Sequence, residues 1–166
     1  MTIIFMGAAG SGKTTAAQAL ARDLSWPCLE ADDFHSQENI SKMSAGIPLE
    51  DSDREPWLLA IADKIRDLQA AGRDAVFTCS ALKAAYREKL CRPPLPGSVR
   101  FVYLKAHEDE LRQRLAHRSG HFMKLDMLNS QLETLQEPES AEALLVDATM
   151  PVDAIVEQVK KDLRLS

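Results

Sequence analysis

Five short apolar runs punctuate the chain: Thr2–Met6, Pro27–Glu30, Ala75–Thr78, Val99–Leu104 and Leu144–Val146. Each is nearly continuous rather than alternating, the pattern of strands covered by helices on both faces. Between the runs, apolar positions recur at helical spacing. Ala17, Leu20, Ala21 and Leu24 line one face, and Trp57/Leu58, Ile61, Ile65 and Leu68 line a second, closed by Gly72 as a C-cap. Leu111 and Leu115 mark a third helix, and Val152, Ile155/Val156, Val159 and Leu163 the last. Strands alternating with helices predict a three-layer α/β/α fold around a five-stranded parallel sheet with right-handed crossovers. Two stretches, 32–54 and 117–138, fit neither period, and irregular segments of that length in a compact domain are usually functional.

Composition narrows the picture. A chain of 166 residues, 45% hydrophobic and 27% charged, is expected to form one globular domain, residues 1–166. A chain of this size buries roughly 68–70% of its unfolded surface, so no stapling metal or disulfide is required. Cys28, Cys79 and Cys91 are odd in number and scattered, which reads as reduced thiols. The apolar start is too short for a signal sequence or a membrane span, so a cytoplasmic location without membrane contact is expected. Twenty Lys and Arg against 25 Asp and Glu leave a net charge of −5. That balance disfavours a nucleic-acid surface and favours a small-molecule partner.

The chemistry begins where the first strand ends. Gly7-Ala8-Ala9-Gly10-Ser11-Gly12-Lys13-Thr14 satisfies G-x-x-x-x-G-K-[ST] between an apolar strand and a helix. Glycines let successive N–H groups turn inward on phosphates, where the helix N-terminus adds its partial positive charge. Lys13 is placed to bridge the β- and γ-phosphates of ATP, and the Thr14 hydroxyl is the expected Mg²⁺ ligand, with Thr15 completing the nucleotide-binding set. A guanine-nucleotide switch would also need N-K-x-D, but neither Asn39 nor Asn129 is followed by Lys. A phosphoryl transferase is the better reading.

Acceptor chemistry is sought at the carboxyl ends of the other strands, where open α/β sheets bind ligands. Asp32 and Asp33 follow the second strand. A carboxylate there can orient an attacking hydroxyl and take its proton, or simply cap the next helix; position alone does not choose. Arg54, at a helix start that ordinarily favours acids, suits either an anionic ligand or an ion pair with Asp51 or Asp53. Ser80, Lys83 and Arg87 follow the third strand and could reach an acceptor or serve as capping and surface residues. No Asp ends that strand, which leaves metal binding leaning on Thr14, with Asp32 as a candidate second group. Arg112, Arg114 and Arg118, followed by Ser119-Gly120-His121-Phe122, make the densest basic stretch, in the manner of a mobile lid over a transferring phosphoryl group.

These blocks together resemble the gluconate kinase family of P-loop kinases, relatives of shikimate kinase. The match runs nearly end to end through GAAGSGKT, ADDFH, NISKMSAGIPLEDSDREPWL, CSALKAAYR, RSGHFM and SQLETLQEP. The resemblance implies ATP-dependent phosphorylation of D-gluconate at its 6-hydroxyl, with shikimate or another sugar acid as the alternative acceptor. It implies Asp32 as the acceptor-orienting base in preference to Asp33, and Arg54 as a ligand of the substrate carboxylate or hydroxyls. His35, Ser80, Lys83 and His121 follow as further acceptor-site residues, and residues 114–123 as the lid. A homodimer is implied in the same way. Ser36 stands where the family usually has Pro, and Ala8 where Val is commoner. A nucleotide-sensing module without catalysis would have lost Lys13 or the acidic turn, and both are present.

Overall fold

The computed structural model describes residues 1–92, 97–117 and 121–166, with the side chains of 121–124 excepted. Five parallel strands form one sheet: β1 (Thr2–Met6), β2 (Cys28–Glu30), β3 (Ala75–Thr78), β4 (Val99–Lys105) and β5 (Ala143–Asp147). Their order is β2-β3-β1-β4-β5, so β1 lies at the centre and is buried along its whole length. The helices are α1 (Lys13–Leu24), α2 (Gln37–Ser44), α3 (Asp51–Ala70), α4 (Ala84–Leu90), α5 (Glu108–Ala116), α6 (His121–Thr134) and α7 (Val152–Leu163).

Alternation along β1 divides the core in two, because successive side chains leave a strand on opposite faces. Ile3 and Phe5 pack with Leu20 of α1 and with Ile155 and Val159 of α7. Ile4 and Met6 face Trp57, Leu58, Ile61 and Ile65 of α3. These are the helical stripes expected from the periodicity, and they give the three layers. A third, smaller cluster joins Leu111 and Leu115 of α5 and Leu128 of α6 to Ala8. It seats two helices on the loop that follows β1. No helix among the described residues is long and apolar enough to cross a membrane.

The two stretches without clear period are largely helical. A 3-10 turn, Ala31–Phe34, leads into α2, and α6 fills much of 117–138. In α2 the one buried residue is Asn39, so no apolar stripe exists to betray the helix. Its start is set by Ser36, whose hydroxyl accepts from the Asn39 N–H at 3.2 Å. In α6 the signal was present, since Leu125, Leu128 and Leu132 sit three and four apart and pack on the α5 cluster.

Arg87 departs from expectation. Its side chain is 3% exposed, so it does not reach an acceptor in the cleft. One guanidinium nitrogen instead donates to the carbonyls of Ala81, Leu82 and Gln136 at 3.1, 3.4 and 3.0 Å. Ala81 holds a left-handed φ of 45°, which disfavours any residue with a Cβ. The buried cation thus clamps a strained turn, and a carboxylate oxygen of Glu142 lies 3.6 Å away to balance it. Arg87→Met should lower stability by about 1–3 kcal/mol in urea denaturation, because three buried carbonyls lose a charged donor. The same variant should leave the KM for both substrates nearly unchanged in initial-rate assays.

Candidate active site

The loop after β1 is shaped by its glycines. Gly7 has φ 141°, and a Cβ there would lie 2.8 Å from the Leu104 carbonyl and 3.0 Å from Ser11 Oγ. Gly12, at φ 89°, turns the chain into α1, whose first turn carries no acid and no side-chain cap. The orphan N–H groups of that turn are left for an anion. Lys13 Nζ donates to the Ala8 carbonyl at 2.9 Å. Arg114 of α5 reaches across with Nη1 to the Gly10 carbonyl at 3.3 Å and Nη2 to Ala148 at 2.7 Å, while Glu110 accepts from Nε at 2.9 Å. Gln131 of α6 accepts from the Ala9 N–H at 2.6 Å. Neither Gln131 nor Ala148 was marked by the pattern of residue types; only the tertiary packing of α5 and α6 brings them to the loop.

Across the sheet edge lies the acceptor side. Cys79, fully buried just past β3, feels the charges of Asp32, Lys13 and Arg54 together. The loop lysine, the carboxylate after β2 and the guanidinium of α3 thus all act electrostatically on the thiol at the end of β3. The Asp32 carboxylate acts on both Cys79 and His35, in each case raising the pKa.

Arg54 is not taken up by its neighbouring acids. Asp51 accepts from Lys83 at 2.9 and 3.1 Å and from the Tyr86 hydroxyl. Asp53 accepts from Lys42 at 2.7 Å and from the Glu50 N–H at 3.0 Å. These bonds hold both carboxyls below the usual carboxylate range. The Arg54 guanidinium stands 5.7 Å over the Tyr86 ring, and among the described residues no carboxylate lies within ion-pair distance of it. Lys83 is committed to Asp51, with its ammonium 5.5 Å from the same ring, and Ser80 lends its carbonyl to the Gly7 N–H at 3.4 Å. His35 stacks on Trp57, ring centroids 4.4 Å apart and 11° from parallel. Burial, and then Arg54, push its pKa down against the opposing pull of Asp32. Arg118 and the side chain of His121 lie outside the described residues.

A carboxylate that the residue pattern did not single out also borders this edge. Glu30 pairs with Thr78 at the level of Phe5, just before the phosphate loop. One of its oxygens accepts from the Thr78 hydroxyl, and the other is buried without a partner among the described residues. No group of three His, Cys, Asp or Glu that could hold a metal occurs among the described residues.

Comparison with known proteins follows the same lines. A family model described as an AAA domain matches residues 2–138. A gluconokinase of Gluconobacter oxydans (strain 621H) is 43% identical over 158 residues, spanning 95% of this chain and 88% of the relative. The chain belongs to the gluconokinase family. A solved gluconokinase from Sinorhizobium meliloti 1021 aligns at TM-score 0.84 and 39% identity, over 98% of this chain and 95% of that one. A shikimate kinase from Bacteroides thetaiotaomicron, 19% identical, shares the fold at TM-score 0.72 over 99% of both chains. The gluconokinase-family chain is thus a P-loop kinase with the three-layer architecture read from its apolar runs.

Burial pushes the Cys79 thiol of this kinase up to about 12, so almost none is thiolate at neutral pH. Iodoacetamide at pH 8 should leave Cys79 unmodified in the folded protein and alkylate it after denaturation, as peptide mass spectrometry would report.

Proposed function

We propose that this kinase transfers the γ-phosphoryl group of ATP to the 6-hydroxyl of D-gluconate, giving 6-phosphogluconate and ADP. The observation that carries the acceptor assignment is Arg54. Its guanidinium is half-buried over the Tyr86 ring, and Asp51 and Asp53 are both engaged elsewhere. A sugar-acid carboxylate or its hydroxyls would supply the missing anionic or polar partner.

The mechanism is positioning and electrostatics. The inward N–H groups of the loop and the α1 N-terminus hold the phosphates, and Lys13 exchanges its Ala8 carbonyl for phosphate oxygen. Asp32 accepts the proton of the attacking hydroxyl as the new oxygen–phosphorus bond forms and the bond to the ADP oxygen breaks. Arg114, already against the Gly10 carbonyl, adds positive charge at the loop, and Arg118 and His121 extend that role within a lid over residues 117–138. Thr14, and the unpartnered oxygen of Glu30 through water, suit a magnesium ion that takes most ligands from phosphate and solvent; it would neutralise phosphate charge. His35, Ser80 and Lys83 complete the acceptor side, and the enzyme acts as a cytoplasmic homodimer without nucleic-acid or membrane partners.

An ADP-release assay across gluconate, other aldonates and shikimate should give the highest kcat/KM with gluconate. Activity with shikimate and silence with gluconate would overturn the acceptor. Asp32→Asn should keep ATP affinity while kcat falls by about 10²–10⁴; near-normal turnover removes Asp32 from the chemistry. Arg54→Met should raise the KM for gluconate roughly 10–100-fold, the worth of a hydrogen bond to a charged group, and leave the KM for ATP in place.

A further inference from the structure

Asn39 is 4% exposed and is the one buried residue of α2, an unusual place for an amide. Buried polar groups need partners, and its amide has two. Nδ2 donates to the Asp53 carbonyl at 2.8 Å and stands 3.2 Å from His35 Nδ1. The carbonyl fixes which way the amide faces. A flipped amide would set Oδ1 against the Asp53 oxygen, two acceptors with no proton between them. The amino group therefore occupies that position, with one hydrogen for the carbonyl and the other for the ring.

That arrangement dictates the state of the imidazole. Nδ1 faces an N–H, so it accepts, and the ring proton resides on Nε2. A proton on Nδ1 would set N–H against N–H. Turning the ring over about Cβ–Cγ would set the carbon Cδ2 against the Asn39 amino group and leave a buried N–H without its acceptor. The ring lies flat on Trp57, whose own Nε1 is pinned to the Ala31 carbonyl at 2.7 Å. The charged groups acting on the ring are Asp32, which favours the imidazolium, and Arg54, which opposes it.

We propose that Asn39 is a positioning residue that holds His35 as the neutral Nε2–H tautomer, so that the ring offers an oxygen of the acceptor a hydrogen-bond donor and never an acceptor. The role at the substrate rests on the acceptor-site reading of His35 given above; the tautomer does not. A ring locked in this way discriminates by chemistry. It favours hydroxyl and carboxylate oxygens, and it disfavours an acceptor that presents only a donor at that point.

The test separates the two halves. Nitrogen-15 NMR of His35 in the full, ligand-free chain at pH 7 should show a protonated Nε2 and an unprotonated, hydrogen-bonded Nδ1. A protonated Nδ1 in the wild-type chain would overturn the lock, whatever the substrate proves to be. Asn39→Ala should let the Nδ1–H tautomer appear, and Asn39→Asp should draw a proton to Nδ1. Each should raise the KM for gluconate about tenfold, with the KM for ATP unchanged, the loss expected for one weakened hydrogen bond. If either variant is too unstable to purify, the wild-type spectrum still decides the lock, and its change on adding gluconate decides the contact. A spectrum showing Nε2–H that does not shift with saturating gluconate, or a wild-type KM in a variant with an altered tautomer, would overturn the substrate role alone.

Discussion

A chain leaving the centre of a parallel sheet must turn sharply to begin a helix, and here it does so in a space that admits no side chain. At Gly7 the carbonyl of Leu104 in the neighbouring strand stands where a Cβ would be, and Ser11 closes in from the other side. The tightness is productive. It brings the loop close over the sheet edge, where the uncapped start of α1 follows at once and Lys13 folds back on the Ala8 carbonyl. The surrounding elements are arranged about that turn. Two elements approach from the nucleotide side, α5 through Arg114 and α6 through Gln131, and two from the acceptor side, the Asp32 turn and α3.

The two sides are held by different physics. On the nucleotide side, Ala8, Leu111, Leu115 and Leu128 form a small apolar cluster, and the polar bonds to the loop go mainly to its backbone. On the acceptor side, the carboxylates of α3 are paired with cations of other elements. Lys83 and Tyr86 occupy Asp51, Lys42 occupies Asp53, and Arg54 stands over an aromatic ring with no carboxylate at ion-pair distance among the described residues. Coulomb attraction among exposed groups contributes little to stability. Its effect here is local, because it ties α3 to α2 and α4 and keeps Asp51 and Asp53 from Arg54.

Apolar periodicity made the sheet, α1, α3, α5 and α7 legible, because burial on both faces or on one stripe leaves a repeat that a reader can count. It left α2 invisible, since that helix buries an amide rather than a stripe. The phosphate loop was legible because its chemistry demands fixed residue types at fixed spacing. The acceptor side was legible in identity but not in division of labour. Residue type could not show that Arg87 is spent on carbonyls, that Lys83 is spent on Asp51, or that Glu30 keeps a buried oxygen unpartnered. Asn39 had no signature at all, because its importance lies in a carbonyl 14 residues away and a ring four residues back.

The clamp around Arg87 also has a mechanical side. Gln136 is bound to the β3–α4 turn three times over: its N–H donates to Leu82, its side-chain oxygen accepts from the Ala84 N–H, and its carbonyl accepts from Arg87. The chain leaving α6 is therefore riveted to the acceptor half of the molecule at residue 136. Any displacement of α6 has its fulcrum at or before that rivet, and torque on the helix is delivered to the turn that follows Cys79.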